Sequence, residues 1–138
     1  MISEQAKSHF LNLYSIALSD TQIDSTELLL LYQFGQNKGV EREKIEALLL
    51  NADKVTFTIP EDVVTKIKYL YEFALMIWAD GKIDEFEVNA LHKFCFKFGF
   101  KSENVKELSD FLLDEAKQQS EIDAVIKKVN KILRKYGD

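Results

Sequence analysis

The sequence predicts an all-α fold of about seven helices, and three observations carry that reading. Apolar residues recur at the three- and four-residue spacing of a helix face through most of the 138 residues. Helix start and stop signals (serine, aspartate or proline before the apolar runs, glycine after them) fall at helical intervals. Only Asn51 to Ile59 alternates, through Val55, Phe57 and Ile59; with no second strand signal to pair with, it reads as a linker.

The first helix is drawn by Ile2, Ala6, Phe10, Leu13, Tyr14, Ala17 and Leu18 and stops at Ser19-Asp20-Thr21-Gln22. A second is predicted from about Ser25 to Lys38, with Leu28, Leu31, Tyr32 and Gly35 inward and Gly39 ending it. A third carries Ile45, Leu48 and Leu49. Pro60, Glu61 and Asp62 open a long fourth helix, since proline is tolerated in the first turn and carboxylates suit its positive end. Its stripe is Val63, Ile67, Leu70, Tyr71, Ala74 and Trp78, ending at Asp80-Gly81. The fifth runs from about Glu85 to Phe98 and stops at Gly99. Ser102 reads as the cap of a sixth with Val105, Leu108 and Leu112 inward. Ser120 reads as the cap of the last, whose stripe is Ile122, Val125, Ile126, Val129, Ile132, Leu133 and Tyr136.

Composition bounds the class. A chain of this length with 46% hydrophobic residues is expected to form one compact soluble domain over 1–138 without disulfides. A net charge of −5 argues against nonspecific nucleic-acid binding. The single cysteine, Cys95, has no internal partner and points to a cytoplasmic location. The N-terminus lacks a basic segment followed by an apolar core, so no signal peptide is expected. The longest apolar stretch, Tyr69 to Ala79, is too short to span a bilayer.

The most informative feature is an internal repeat at an offset of sixty residues. Asp20 pairs with Asp80, Ile23 with Ile83, Asp24 with Asp84, Glu27 with Glu87, Phe34 with Phe94 and Gly39 with Gly99. The repeat units cover about 10–50 and 70–112, with a separate C-terminal helix over about 120–136. Two such units predict a duplicated bundle with a pseudo-twofold axis rather than an open array.

Each repeat carries three carboxylates at a turn: Asp20, Asp24 and Glu27, then Asp80, Asp84 and Glu87. Oxygen ligands of this kind suit calcium, magnesium or manganese, with zinc behind them. The second turn, Trp78 to Glu87, resembles the latter half of an EF-hand loop. Met76 and Trp78 occupy its first and third ligand positions, so a true EF-hand is excluded. Helix capping is the competing reading: Asp24-x-x-Glu27 and Asp84-x-x-Glu87 are both capping boxes. Capping does not require Asp20 and Asp80, whose charge opposes the preceding helix dipole.

The run Ala79-Asp80-Gly81-Lys82-Ile83-Asp84-Glu85-Phe86-Glu87 after a long helix resembles the signature of the TerB-like family. That family includes tellurite-resistance proteins and the N-terminal domain of the membrane-tethered co-chaperone DjlA. The resemblance spans roughly Phe10 to Ala116. It implies a seven-helix fold with two acidic turns, divalent-metal binding on an acidic face, and a place in stress complexes at the inner side of the membrane. By position it implies Asp80, Asp84 and Glu87 as metal ligands, with Asp20, Asp24 and Glu27 as the matching set. The first turn departs from the signature, with Ser19 and Thr21 where the second has Ala79 and Gly81. No J-domain follows Asp138, so a complete DjlA-type co-chaperone is not expected.

The remaining features are weaker. His92 and Cys95, one turn apart, lack the further ligands a zinc site needs and read as a core pair. Phe94 and Phe96 beside Cys95 would raise its pKa, and no nucleophile–base arrangement or phosphate loop is present, so no enzyme activity is expected. The run Phe94, Phe96, Phe98 and Phe100 spreads rings around its helix; a helix between two others and a partner or dimer contact both account for it. Lys127, Lys128, Lys131, Arg134 and Lys135 lie opposite the last helix's apolar stripe, as a solvated face or a dock for anionic lipid or an acidic partner. The expectation is therefore a cytoplasmic, non-enzymatic module that binds a divalent cation and docks onto proteins. The alternative is a structural interaction domain, homodimeric or not, whose carboxylates only cap helices.

Overall fold

The structure, a computed structural model, describes residues 3–19, 25–50, 60–79 and 83–135. The described residues are all-helical, without strands: α1 Glu4–Ser19, α2 Ser25–Asn37, α3 Arg42–Leu50, α4 Val63–Trp78, α5 Glu85–Lys97, α6 Ser102–Lys117 and α7 Ile122–Lys135. The chain divides into two compact units, Met1–Ile59 and Pro60–Asp138, so the boundary falls between the two repeats. None of the described helices is long and apolar enough to cross a membrane. The linker expected over 51–59, with Ile2 and Tyr136, lies outside the described residues. So do the side chains of Leu49, Leu133, Arg134 and Lys135.

In the first unit α1 packs against α2 and α3. Ser3 starts α1 by accepting the Ala6 amide on its hydroxyl (3.1 Å). Phe10, Leu13, Tyr14 and Ala17 turn inward as their spacing requires, joined by Leu31, Phe34 and Ile45. Phe10 stacks obliquely on Phe34, with ring centroids 5.8 Å apart. Gly35 is needed by that ring: a Cβ there would lie 2.6 Å from Phe10 Cε2 and 3.3 Å from Ile45 Cδ1. Tyr32, half-buried, donates its hydroxyl to Glu46 of α3, which also takes Arg42 Nε at 2.6 Å.

The second unit repeats this plan and adds a helix. α4, α5 and α6 pack against one another, and α7 lies on α4 and α6. α4 is buried on more than one side, because Phe73, Met76 and Ile77 join Ile67, Leu70, Tyr71 and Ala74 of the predicted stripe. The two ends of that stripe differ from expectation: Val63, in the first turn, is exposed, and Trp78, in the last, is half-buried. Phe73 meets Phe94 edge-on at 5.4 Å.

The correspondence extends to how the helices end. Gly39 and Gly99 sit at φ +97° and +96°. In each case the glycine amide and the next amide reach back into the last helical turn: Gly39 to Gln36 and Val40 to Gly35, Gly99 to Phe96 and Phe100 to Cys95. These are Schellman closures, and an αL glycine is what they favour. A third closure ends α6, where Gln119 bonds to Ala116 and Ser120 to Glu115. Here the αL position, at φ 58°, holds a glutamine. Gln119→Gly is expected to stabilise the unit by about 1 kcal/mol, measured by denaturant unfolding.

Three predicted helix starts differ from the structure. α4 begins at Val63, and Pro60 and Glu61 precede it; Asp62 is the cap, accepting the Thr65 amide (2.9 Å) and hydroxyl (2.8 Å). Those two donors hold the Asp62 carboxyl below its usual range. Ser102 is the first residue of α6 and Lys101 its cap, with no side-chain bond to the helix start. Ser120 lies two residues ahead of α7 and its hydroxyl goes to Glu115 Oε2 (2.5 Å).

That last bond belongs to a buried polar network. Glu115 is 3% exposed on the inner face of α6. It accepts Ser120 on one oxygen and Lys128 Nζ of α7 on the other, the latter at 2.6 Å. Tyr71 of α4 directs its hydroxyl at the carbonyl oxygens of Ser120 (2.5 Å) and Glu115 (3.3 Å). One charged cluster thus ties α4, α6 and α7 together, and all its charge is hydrogen-bonded.

Candidate functional site

The second acidic turn lies between α4 and α5. α4 ends at Trp78, and the Ala79 amide bonds back to Met76 at 3.2 Å. α5 starts from Asp84, whose extended backbone (φ −120°, ψ 169°) places its carboxylate over the first turn. Asp84 Oδ1 accepts the Glu87 amide at 2.9 Å. Glu87 Oε1 in turn accepts the Asp84 amide at 3.3 Å. This reciprocal pair satisfies two backbone donors that have no partner within the helix, and both carboxylates sit at its positive end.

The two residues differ in exposure. Asp84 faces solvent, whereas Glu87 is 8% exposed and forms part of the interior. A cation would have to draw Glu87 from its amide bond, or be served by its second oxygen inside the protein. The described part of this turn is therefore arranged as a helix start. Asp80 lies outside the described residues. In the first turn Asp20 and Asp24 also lie outside them, and Glu27 is half-buried in the first turn of α2. Among the described residues no three of His, Cys, Asp and Glu come together as a metal site. Asp84→Ala is expected to destabilise the protein by about 1 kcal/mol in a denaturant titration, the usual effect of losing a cap.

The phenylalanine run divides cleanly. Phe94, Phe98 and Phe100 are buried, and Phe96 stands in water at 61% exposure. Cys95 is wholly enclosed, and that burial pushes its thiol well above the usual range, so the reactive thiolate is suppressed. His92, one turn away, is half-buried.

Beside the turn lies a cavity of about 260 Å³, formed where α4 and α6 end. Leu75, Trp78, Ala79, Ala116, Lys117 and Gln119 line it. Lys117 holds its ammonium 5.5 Å from the centroid of the Trp78 ring. The sequence offered one hint of this pairing, the solitary tryptophan ending the stripe of α4. It offered none for Lys117, which is distant along the chain.

No protein-family model, curated protein or solved structure matches the chain.

Proposed function

We propose that this chain is a non-enzymatic module of the TerB-like kind that acts by docking onto protein partners, and that its acidic turns serve first as helix starts. The observation that carries the reading is shared by both repeats: the second helix of each leaves large apolar side chains in water. On α2 these are Leu29, at 55% exposure, and Leu30; on α5 it is Phe96. The exposed residues of α2 from Thr26 onward, namely Thr26, Leu29, Leu30, Gln33, Gln36 and Asn37, carry no charge. Apolar anchors without charge mark the centre of a protein interface. The acidic signature from Ala79 to Glu87 supports the family reading and, through it, a role in stress complexes.

The test uses Leu29→Glu with Leu30→Glu, and separately Phe96→Glu. These surface changes should leave stability within about 0.5 kcal/mol of the parent. Cross-linking in the source cells should identify partners that the folded variants no longer capture. An unchanged partner set with both variants would overturn the reading.

A second reading places a divalent cation at the turns. It is favoured by the recurrence of Asp20 at Asp80, which capping does not require. Melting in the presence of cations separates the two.

A further inference from the structure

The cavity at the ends of α4 and α6 has a chemistry that helix capping does not use. Trp78 gives it a flat aromatic wall, and Leu75, Ala79 and Ala116 give apolar walls. Lys117 brings a positive charge that lies over the indole ring; among the described residues it makes no ion pair with a carboxylate. The Asp114, Glu115 and Ala116 carbonyls at the end of α6 accept backbone amides.

Gln119 supplies the fourth element. The equivalent closing position is glycine at Gly39 and Gly99, and at the cavity it is a side-chain-bearing residue held at φ 58°. A side chain kept in a disfavoured backbone region at a cavity wall points to use of that side chain. Its amide carries two N–H donors, and Gln119 and Lys117 both line the cavity.

We propose that this cavity binds a small aromatic carboxylate. The ring lies along Trp78 between the alanines, and the carboxylate is held by Lys117 Nζ and the Gln119 amide. Size agrees, since 260 Å³ admits a single-ring ligand and little more.

Trp78 is the only tryptophan, so its fluorescence and its single indole N–H resonance report on this wall alone. The intact chain is titrated with phenylacetate. A saturable change in both signals is expected, with a Kd on the order of 1 mM for so small a ligand. Phenylacetamide, which keeps the ring and loses the charge, should bind about tenfold more weakly, and Lys117→Gln should weaken phenylacetate by a similar factor. Gln119→Gly is the discriminating variant: it should fold more stably yet bind about threefold more weakly. A non-saturable response, equal binding of the amide, or undiminished binding by Lys117→Gln would overturn the proposal.

Discussion

Glu115→Ala should lower the stability of the Pro60–Asp138 unit by about 3 kcal/mol, among the largest losses expected from one substitution outside the apolar core. Glu115 is enclosed, and each of its oxygens receives a short hydrogen bond, from Ser120 and from Lys128. Truncation strands the Ser120 hydroxyl and removes the charged tie between α6 and α7, which leaves their apolar contact through Val125 and Val129. Lys128 is 57% exposed and returns to water, which keeps the loss below that of a fully buried pair. The same contacts give a signature in pH. Lys128 first, then Ser120, holds the Glu115 carboxyl below its ordinary value of 4.5. The stability it contributes is therefore complete above that value and is lost as pH falls through the lower folded one. Glu115→Gln should flatten this acid limb in unfolding curves taken across pH. At the other extreme, burial, reinforced by the Glu115 and Glu72 carboxylates, pushes the Tyr71 phenol up to about 12. That contribution is complete below pH 10 and disappears toward 12, so Tyr71→Phe should remove the alkaline loss.

Gly35→Cys should cost about 2 kcal/mol, and most of that should be recovered by adding Phe10→Leu. The new Cβ would sit 2.6 Å from the Phe10 ring, too close for either group to stay in place. The pair is suggested by the repeat itself: where the first unit has Phe10 and Gly35, the second has Leu70 and Cys95, both fully buried. A large residue facing none has become a medium one facing a small one, which conserves volume. Phe10→Leu alone should cost about 1.5 kcal/mol by leaving space over Gly35. A double-mutant cycle in denaturant should then show a favourable coupling of about 3 kcal/mol. Additive losses would mean that the two cores are not equivalent at this place.

The helices were legible because each buries one face, and burial of a face imposes its period on the sequence. α2 and α5 begin and end at residues sixty apart, as the repeat requires. Capping was legible at Asp84, where aspartate and glutamate stand three apart, and not at Ser102 or Ser120. A serine before an apolar run looks the same in sequence whether its hydroxyl meets a helix start or a buried carboxylate. Glu115 left a trace that went unread: it continues the stripe of Leu108 and Leu112, and a carboxylate on an inward face needs partners. Phe96 was separable from its neighbours only by rotation about the helix, which places it outside while Phe94 and Phe98 face in. The cavity at Trp78 was not legible, since it arises where two helix ends meet across a long stretch of chain.

The second acidic turn is built as a helix start whose carboxylates are held by backbone amides. Thermal melting of the parent and of Asp84→Ala, each with calcium, magnesium, manganese and zinc in turn, tests this directly. The variant is expected to melt about 4 °C lower in every condition, and no cation is expected to move the parent. A saturable rise in the parent, of the size given by about 2.7 kcal/mol at a hundredfold excess over Kd, would contradict it if it vanished in the variant.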